Sequence, residues 1–182
     1  MSRSTTAINS LPLGQDPDEL RPRGRFPTVS LSAEYLAMGY LLRRNVLTYK
    51  APPFNEGYDL LCSHPDPRKA TRQLRIQVKS RMATDSDRGF PLKARSIDAF
   101  DFLIVAFLNV GYYLQKAKNN ASIDGARDPE FFVLTPEFLR EHHQAGSWEK
   151  VRLGGLDIDT YKNEKGFELI AQALDVPYPS KT

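Results

Sequence analysis

The stretch Leu74-Arg75-Ile76-Gln77-Val78-Lys79-Ser80 alternates apolar and polar side chains along its length. Such alternation predicts a half-buried β-strand, because successive side chains of a strand point to opposite faces of a sheet. The apolar members of the stretch then point into a core. Gln77 and Lys79, two residues apart, lie on the other face with their polar ends close together.

Two acids precede this strand. The stretch Gly57–Leu61 predicts a second short strand with Asp59 in its middle, where a carboxylate is disfavoured unless a partner satisfies it. Glu34 lies in a predicted amphipathic helix, residues 30–44. Each site residue also has an ordinary structural interpretation: Asp59 as a turn cap, Glu34 as an acid suited to the first turn of a helix, and Lys79 as an edge-strand lysine that discourages aggregation.

The order Glu34, Asp59 and then Gln77-x-Lys79 resembles the PD-(D/E)XK, or restriction-endonuclease-like, nuclease superfamily, in the variant with glutamine at the third acidic position. The resemblance covers residues from about 30 to 108. It implies an α/β fold, with a central mixed β-sheet flanked by helices.

The resemblance also implies a chemistry and a role for each residue. Phosphodiester hydrolysis uses a hard cation, Mg²⁺ or Mn²⁺, which prefers oxygen ligands. Asp59 is the implied principal ligand, and the side-chain oxygen of Gln77 and the backbone carbonyl of Val78 complete the protein side. Glu34 binds the ion directly or through water. Lys79 lies beside the scissile phosphate and offsets the charge of the transition state. The neutral Gln77 implies weak binding of one ion.

The sequence departs from the family pattern after the strand that carries the lysine. The family places a clear helix there, whereas residues 83–95 are polar, contain Gly and Pro, and predict a mobile loop. A helix in this region is short, around residues 96–100, or displaced. The loop and the preceding strand carry cations that we expect to contact nucleic acid: Arg75, Arg81, Arg88, Lys93 and Arg95.

Apolar spacing predicts the other elements. In the first helix, Leu31, Tyr35, Met38 and Leu42 predict one buried stripe. The segment Asp101–Leu108 predicts a strand covered on both faces. Thr135-Pro136 predicts a helix start, and residues 164–174 predict a last helix. Further strands are predicted at residues 46–51, 111–115 and 131–134, and the strand that contains Asp59 is predicted to extend over residues 58–63.

Composition indicates one globular domain. The 182 residues, 41% hydrophobic and 26% charged, predict a single domain over residues 30–182 after a proline-containing flexible arm over residues 1–29. The longest apolar run, Phe102–Leu108, is much shorter than the ~20 residues of a membrane-spanning helix. The chain start lacks an apolar core of secretory-signal length, and Cys62 is the single cysteine. We therefore expect a reducing, cytoplasmic setting.

The net charge of +3 conceals an uneven distribution. Residues 31–99 carry 12 Lys or Arg against 7 Asp or Glu, giving +5, whereas residues 100–182 carry 9 against 12, giving −3. The basic residues therefore concentrate on the segment with the candidate motif, as expected of a segment that meets a polyanion. The ordinary alternative is a solvated surface.

Together these features predict a Mg²⁺-dependent endonuclease that hydrolyses DNA in restriction, repair or junction processing, and that acts as a homodimer because two strands must be cut. Two alternatives stay open: a catalytically inactive nuclease-fold module that binds DNA, and a protein-interaction factor whose acidic C-terminal half contacts a partner. Other chemistries are poorly supported. His142 and His143 diverge on a helix, and the sequence has no Gly-rich phosphate loop and no nucleophile elbow.

Overall fold

The computed structural model describes residues 27–52, 55–81, 88–109 and 127–178. Within these ranges the α-helices are α1 (Pro27–Leu42), α2 (Pro136–His142) and α3 (Asn163–Ala173). The strands are β1 (Leu47–Lys50), β2 (Leu60–Ser63), β3 (Gln73–Arg81), β4 (Gly89–Pro91), β5 (Phe102–Phe107), β6 (Glu130–Leu134), β7 (His143–Gln144) and β8 (Lys150–Arg152). Short 3₁₀ helices lie at Ala94–Ala99 and Asp159–Tyr161.

Five strands form the main sheet, in the order β1-β2-β3-β5-β6. β3 and β5 run parallel, and the other neighbouring pairs are antiparallel. The fold is therefore α/β with a central mixed sheet, as predicted. The predicted strand β3 is confirmed, and Leu74, Ile76 and Val78 are buried between more exposed polar residues.

Opposite faces of the main sheet are covered by different layers. α1 and α3 pack on the face that carries the buried side chains of β3. The other face is covered by α2, the 3₁₀ helix Ala94–Ala99 and a second sheet in the order β4-β8-β7. All six residues of β5 are buried, because layers cover it from both sides. In the part of the chain that the structure describes, no helix is both long and apolar enough to cross a membrane.

The buried face of α1 differs from the predicted one. Leu31, Tyr35 and Leu42 are between 42% and 56% exposed. The residues buried against the sheet are Ala33, Ala37 and Leu41. Because α1 carries apolar residues around most of its circumference, apolar spacing alone did not select a face. The two alanines allow the helix axis to approach the sheet closely.

In two further segments the structure differs in detail from the predicted elements. The predicted loop over residues 83–95 contains β4, and the short helix expected near residues 96–100 is the 3₁₀ helix Ala94–Ala99. Residues 27–29, assigned to the arm, form the first turn of α1. The rest of the arm and the strand predicted at residues 111–115 lie outside the described residues.

The predicted C-terminal helices are confirmed. Thr135 caps α2, because its Oγ1 accepts a hydrogen bond from the Phe138 backbone N–H at 3.3 Å, and Pro136 is the first helical residue. α3 packs Phe167, Ile170 and Ala171 into the core beneath the main sheet.

Candidate active site

Asp59 lies immediately before β2, where the ladder between β2 and β3 ends. Its backbone N–H donates to the Ile76 carbonyl at 2.8 Å, and its carboxylate Oδ2 accepts the Val78 backbone N–H at 2.7 Å. The side chain therefore satisfies a β3 donor that has no strand partner at this point. Gly57 makes the preceding bend possible, because its φ of 101° suits glycine and a Cβ there would lie 2.6 Å from that of Ala99.

Gln77 brings an amide to the same point. Its Nε2 donates a short hydrogen bond to Asp59 Oδ2 and a second one, at 3.2 Å, to the Val78 carbonyl oxygen. Asp59 stands opposite Gln77 when the register of β2 and β3 is extended by one residue beyond the Leu60–Ile76 pair. Three polar groups predicted as cation ligands therefore converge at the end of the sheet.

The donor set fits a hard cation. A carboxylate oxygen and a carbonyl oxygen both face the Gln77 amide group, and rotation of that amide by half a turn exchanges its nitrogen for Oε1. The group would then offer three oxygen atoms, the ligand type that Mg²⁺ and Mn²⁺ prefer. Within the described ranges no three His, Cys, Asp or Glu side chains form a metal-binding group. Asp59 is the carboxylate of the cluster, and binding of a cation there stays a prediction.

Lys79 lies on the same face of β3 as Gln77, and both line an open cleft of about 480 Å³. The Lys79 ammonium makes no ion pair or hydrogen bond with any residue in the described portion of the chain. A cation without a protein partner beside the Asp59 cluster is available to an anionic ligand.

Glu34 is held elsewhere by a partner that the sequence analysis missed. Its carboxylate forms an ion pair with Lys50 of β1. α1 packs on the face of the sheet opposite to Gln77 and Lys79, and within the described residues no hydrogen bond or ion pair joins Glu34 to Asp59. The role of Glu34 as a metal ligand stays a prediction.

The walls of the cleft come from segments far apart in sequence. One wall is Pro91, Leu92, Lys93, Ser96 and Phe100. The other wall is the loop between β7 and β8, with Ser147, Trp148 and Glu149. Of these, only Lys93 was predicted. No local pattern marks the others, because the second sheet pairs β4 with a strand about sixty residues later in the chain.

The five predicted nucleic-acid contacts differ in their surroundings. The Arg75 guanidinium bonds both carboxylate oxygens of Asp101 at 3.2 Å. Arg81 donates to the Gly89 carbonyl at 2.9 Å, and Arg88 lies 3.9 Å from a carboxylate oxygen of Glu130.

Lys93 and Arg95 are exposed, and their side chains have no ion-pair or hydrogen-bond partner within residues 27–52, 55–81, 88–109 and 127–178. These two cations are therefore the best placed of the five to meet phosphate.

Two titratable groups near the cleft and core are tuned by their surroundings. Burial raises the pKa of Asp101, but the hydrogen bonds and charge of Arg75 outweigh burial and hold that pKa below its ordinary value. Burial raises the pKa of the Cys62 thiol to about 12, against a weak opposing contact with Thr48. Cys62 is therefore not a nucleophile at neutral pH.

The architecture is a restriction-endonuclease-like α/β fold. The chain is similar in structure to the bacterial homing endonuclease I-Ssp6803I, with a TM-score of 0.50 and 17% identity over 84% of this chain and 95% of that one. A weaker similarity, with a TM-score of 0.41 and 12% identity over 82% and 98%, is to the Holliday junction resolvase Hjc from Archaeoglobus fulgidus. At such identities the likeness concerns the fold. No protein-family model and no curated protein matches the chain.

Proposed function

We propose that the chain is a divalent-metal-dependent endonuclease that hydrolyses phosphodiester bonds of DNA, with Mg²⁺ or Mn²⁺ as cofactor. The observation that carries the proposal is the convergence of Asp59 Oδ2, the Val78 carbonyl and the Gln77 amide at one point, beside the unpartnered Lys79. A carboxylate, a carbonyl and a lysine at the mouth of a cleft form a set suited to phosphate chemistry.

Each group has a distinct part in this proposal. Asp59, Val78 and Gln77 would hold the cation, which when bound draws charge from the phosphate and lowers the pKa of a bound water. Lys79 orients the attacking water and offsets the negative charge that grows on the phosphate oxygens. Glu34 joins the site, directly or through water, only when its ion pair with Lys50 opens.

DNA is the proposed substrate on charge grounds. The segment that carries the cluster has a net charge of +5, and Lys93 lies on the cleft wall with Arg95 close by in sequence. A polyanion is attracted to such a surface, and phosphate contacts hold the backbone in register without reading sequence. The likeness of the fold to a homing endonuclease agrees with this substrate. Restriction, repair and junction processing all require hydrolysis of DNA phosphodiester bonds, so the proposal includes all three roles.

Nicking of supercoiled plasmid DNA tests the proposal. We expect wild type to nick with Mg²⁺ or Mn²⁺ and not in EDTA, and Asp59→Asn and Lys79→Ala each to lower the rate about 100-fold or more. Asp59→Asn keeps an oxygen acceptor for the Val78 N–H, so folding is preserved. Lys165→Ala and Asp157→Ala, at exposed positions, are the matched controls and should keep the wild-type rate.

Three results would overturn the assignment. A wild-type rate in both site variants would indicate a contaminating nuclease. Salt-dependent DNA binding without cutting on plasmid, linear or branched DNA would favour the inactive DNA-binding module, which the single carboxylate of the cluster also suits. No metal effect on thermal stability and only weak DNA binding would favour a protein-interaction factor.

We further propose a homodimer as the acting unit, because cutting both strands of a duplex needs two sites. Sedimentation of the full chain with an uncleavable duplex should show two protein copies per DNA. Mixing wild type with excess Asp59→Asn should then convert double-strand cuts into nicks. Double-strand cutting that persists in proportion to wild type would contradict the dimer.

A further inference from the structure

Trp148 is a large aromatic side chain left on the surface at the cleft. It is the single tryptophan of the chain, lies in the loop between β7 and β8, and is 78% exposed. Its indole lines two neighbouring clefts, the one of about 480 Å³ that holds Gln77 and Lys79, and one of about 230 Å³ that holds Arg81 and Lys150. Tryptophan is usually well buried, so this exposure beside the candidate site suggests a binding role.

The backbone that presents Trp148 is firmly held. The neighbouring Glu149 accepts the Leu92 N–H with its backbone carbonyl at 3.0 Å and the Ala94 N–H with its carboxylate at 2.6 Å. The same carboxylate lies 3.3 Å from His143 Nε2, and that nitrogen lies 3.0 Å from the Leu92 carbonyl oxygen. These contacts join the loop to the opposite wall of the cleft. They hold the backbone next to Trp148 in place while its indole stays exposed.

Lysine side chains line the same two clefts as the indole. Lys79 and Lys93 share the first cleft with Trp148, and Lys150 shares the second. None of the ammonium groups of these three lysines has a hydrogen-bond or ion-pair partner among the described residues. The acid of the first cleft, Glu149, is engaged by Ala94 and His143. An aromatic plane between unpaired lysines suits a ligand that has both a flat apolar ring and phosphates, which is a nucleotide chain.

We propose that Trp148 stacks on an exposed nucleobase next to the phosphate held at Lys79. In an intact duplex both faces of each base are covered by neighbouring bases, so the indole can stack only where a base has a free face. The preferred substrate is therefore DNA with a local interruption of stacking, such as a bulge, a gap or a branch. This inference rests on the proposed function for the identity of the substrate, and it adds a preference for one class of DNA.

Fluorescence of the single tryptophan tests the inference without cleavage. The full chain in EDTA is titrated with a fully paired short duplex and with the same duplex carrying a single-nucleotide bulge, and binding is followed separately by anisotropy of a label on the DNA. We expect the bulged duplex to quench the indole emission. Trp148→Ala should bind the bulged duplex about tenfold more weakly, with less than about a twofold change for the paired duplex, and Trp148→Phe should keep most of the preference.

The outcomes separate this inference from the proposed function. Quenching by bulged DNA in a protein that never nicks plasmid would leave the stacking role standing and remove the nuclease. Metal-dependent nicking with unquenched emission on bound DNA, or equal affinity of Trp148→Ala and wild type for the bulged duplex, would overturn stacking alone. Failure to bind either duplex at low salt would overturn both.

Discussion

Gln77 occupies a position where a third acid would complete the candidate cation site. Its neutral amide reaches both Asp59 Oδ2 and the Val78 carbonyl oxygen, so an amide nitrogen lies where two oxygens face each other. In this arrangement the Asp59 carboxylate accepts hydrogen bonds from the Gln77 side chain and the Val78 backbone N–H, so protein groups satisfy it. Binding of a cation would replace these hydrogen bonds with oxygen–metal contacts, which requires the Gln77 amide to turn.

Gln77→Glu should strengthen metal binding. A second carboxylate raises the charge of the ligand set, and we expect Mn²⁺ affinity to rise about tenfold by calorimetry. In EDTA the variant should be less stable than wild type, because the introduced carboxylate and Asp59 would then be like charges in contact. Gln73→Glu, the same change at the exposed start of β3, is the control. Equal or weaker Mn²⁺ binding by the Gln77 variant would contradict the assignment of this cluster.

Asp101 should contribute to the stability of the fold in a pH-dependent way. Its pKa is held below the ordinary 3.8, so its ionised form is favoured in the folded state. The stabilisation is complete above that ordinary pKa and is lost as the pH falls through the lowered value. Because both partners are partly exposed, Asp101→Asn should lower the unfolding free energy at neutral pH by only about 1 kcal/mol.

Urea unfolding over a range of pH checks this expectation. The curves for wild type and Asp101→Asn should converge at acidic pH, where Asp101 becomes protonated in the folded protein too. Asp157→Asn, at an exposed position, should follow wild type throughout. A constant difference between the Asp101 variant and wild type, from neutral pH to below 3.8, would show that the ion pair is not the cause.

At the scale of elements, the packing around a helical glycine decides whether its replacement by alanine stabilises or destabilises the protein. Gly166 lies in α3, where an added Cβ would collide with the Tyr161 carbonyl oxygen and lie 3.0 Å from a methyl carbon of Val133. Gly39 lies in the last turn of α1, and an added Cβ there would meet nothing within 4 Å. Both are helical glycines, so helix propensity predicts the same sign for both and packing predicts opposite signs.

Gly166→Ala should therefore destabilise the protein by about 1–3 kcal/mol, because α3 must shift away from β6. Gly39→Ala should stabilise it by about 0.5–1 kcal/mol, because alanine lowers the entropy of the unfolded chain and favours helix. Urea midpoints measured at one pH give both values. A stabilised Gly166 variant would mean that α3 is less tightly packed on the sheet than described.

The second sheet is the element that completes the cleft. β4-β8-β7 places the loop with Trp148 and Glu149 across from the end of β3, and α2 packs behind the same layer. Without this sheet Gln77 and Lys79 would lie on an open surface. The layer therefore supplies the walls of the open cleft in which Gln77 and Lys79 lie.

At the scale of the whole molecule, charge predicts how DNA affinity depends on salt. Lys93 and Arg95 are exposed and unpartnered within the described ranges, whereas Arg75 bonds Asp101. Each phosphate contact contributes about one unit to the slope of log affinity against log salt. We expect Lys93→Ala and Arg95→Ala each to lower that slope by about one, and Arg75→Ala to lower it less.

Anisotropy of a labelled duplex in EDTA, measured over a series of salt concentrations, gives the three slopes. Lys165→Ala is the matched control for removal of a surface cation, and its slope should equal that of wild type. Equal losses for Arg75→Ala and Lys93→Ala would indicate that the Arg75 ion pair opens on binding and that both side chains reach phosphate.

The sequence predicted the parts of the fold that depend on neighbours along the chain. The alternation in β3, the apolar run of β5 and the Thr135-Pro136 helix start were each confirmed. The same local pattern anticipated that Gln77 shares a face with Lys79. Its position in a predicted strand also marked Asp59, the family resemblance added a metal-binding role, and the structure brings its carboxylate to the Gln77 amide. Their catalytic and metal-binding roles stay predictions.

By itself, then, the sequence determined the main strands, the C-terminal helices and the face of β3 that carries polar groups, because these follow from spacing of two or 3.6 residues along the chain. The α/β class was an implication of the family resemblance. Only the tertiary structure decided which face of α1 is buried, that Arg75 is engaged by Asp101, and that Trp148 stands in the cleft. Those outcomes depend on contacts between residues far apart in sequence, 26 positions for Arg75 and Asp101 and 55 for Ala94 and Glu149. Local periodicity does not predict such contacts, because they form only when separate elements pack together.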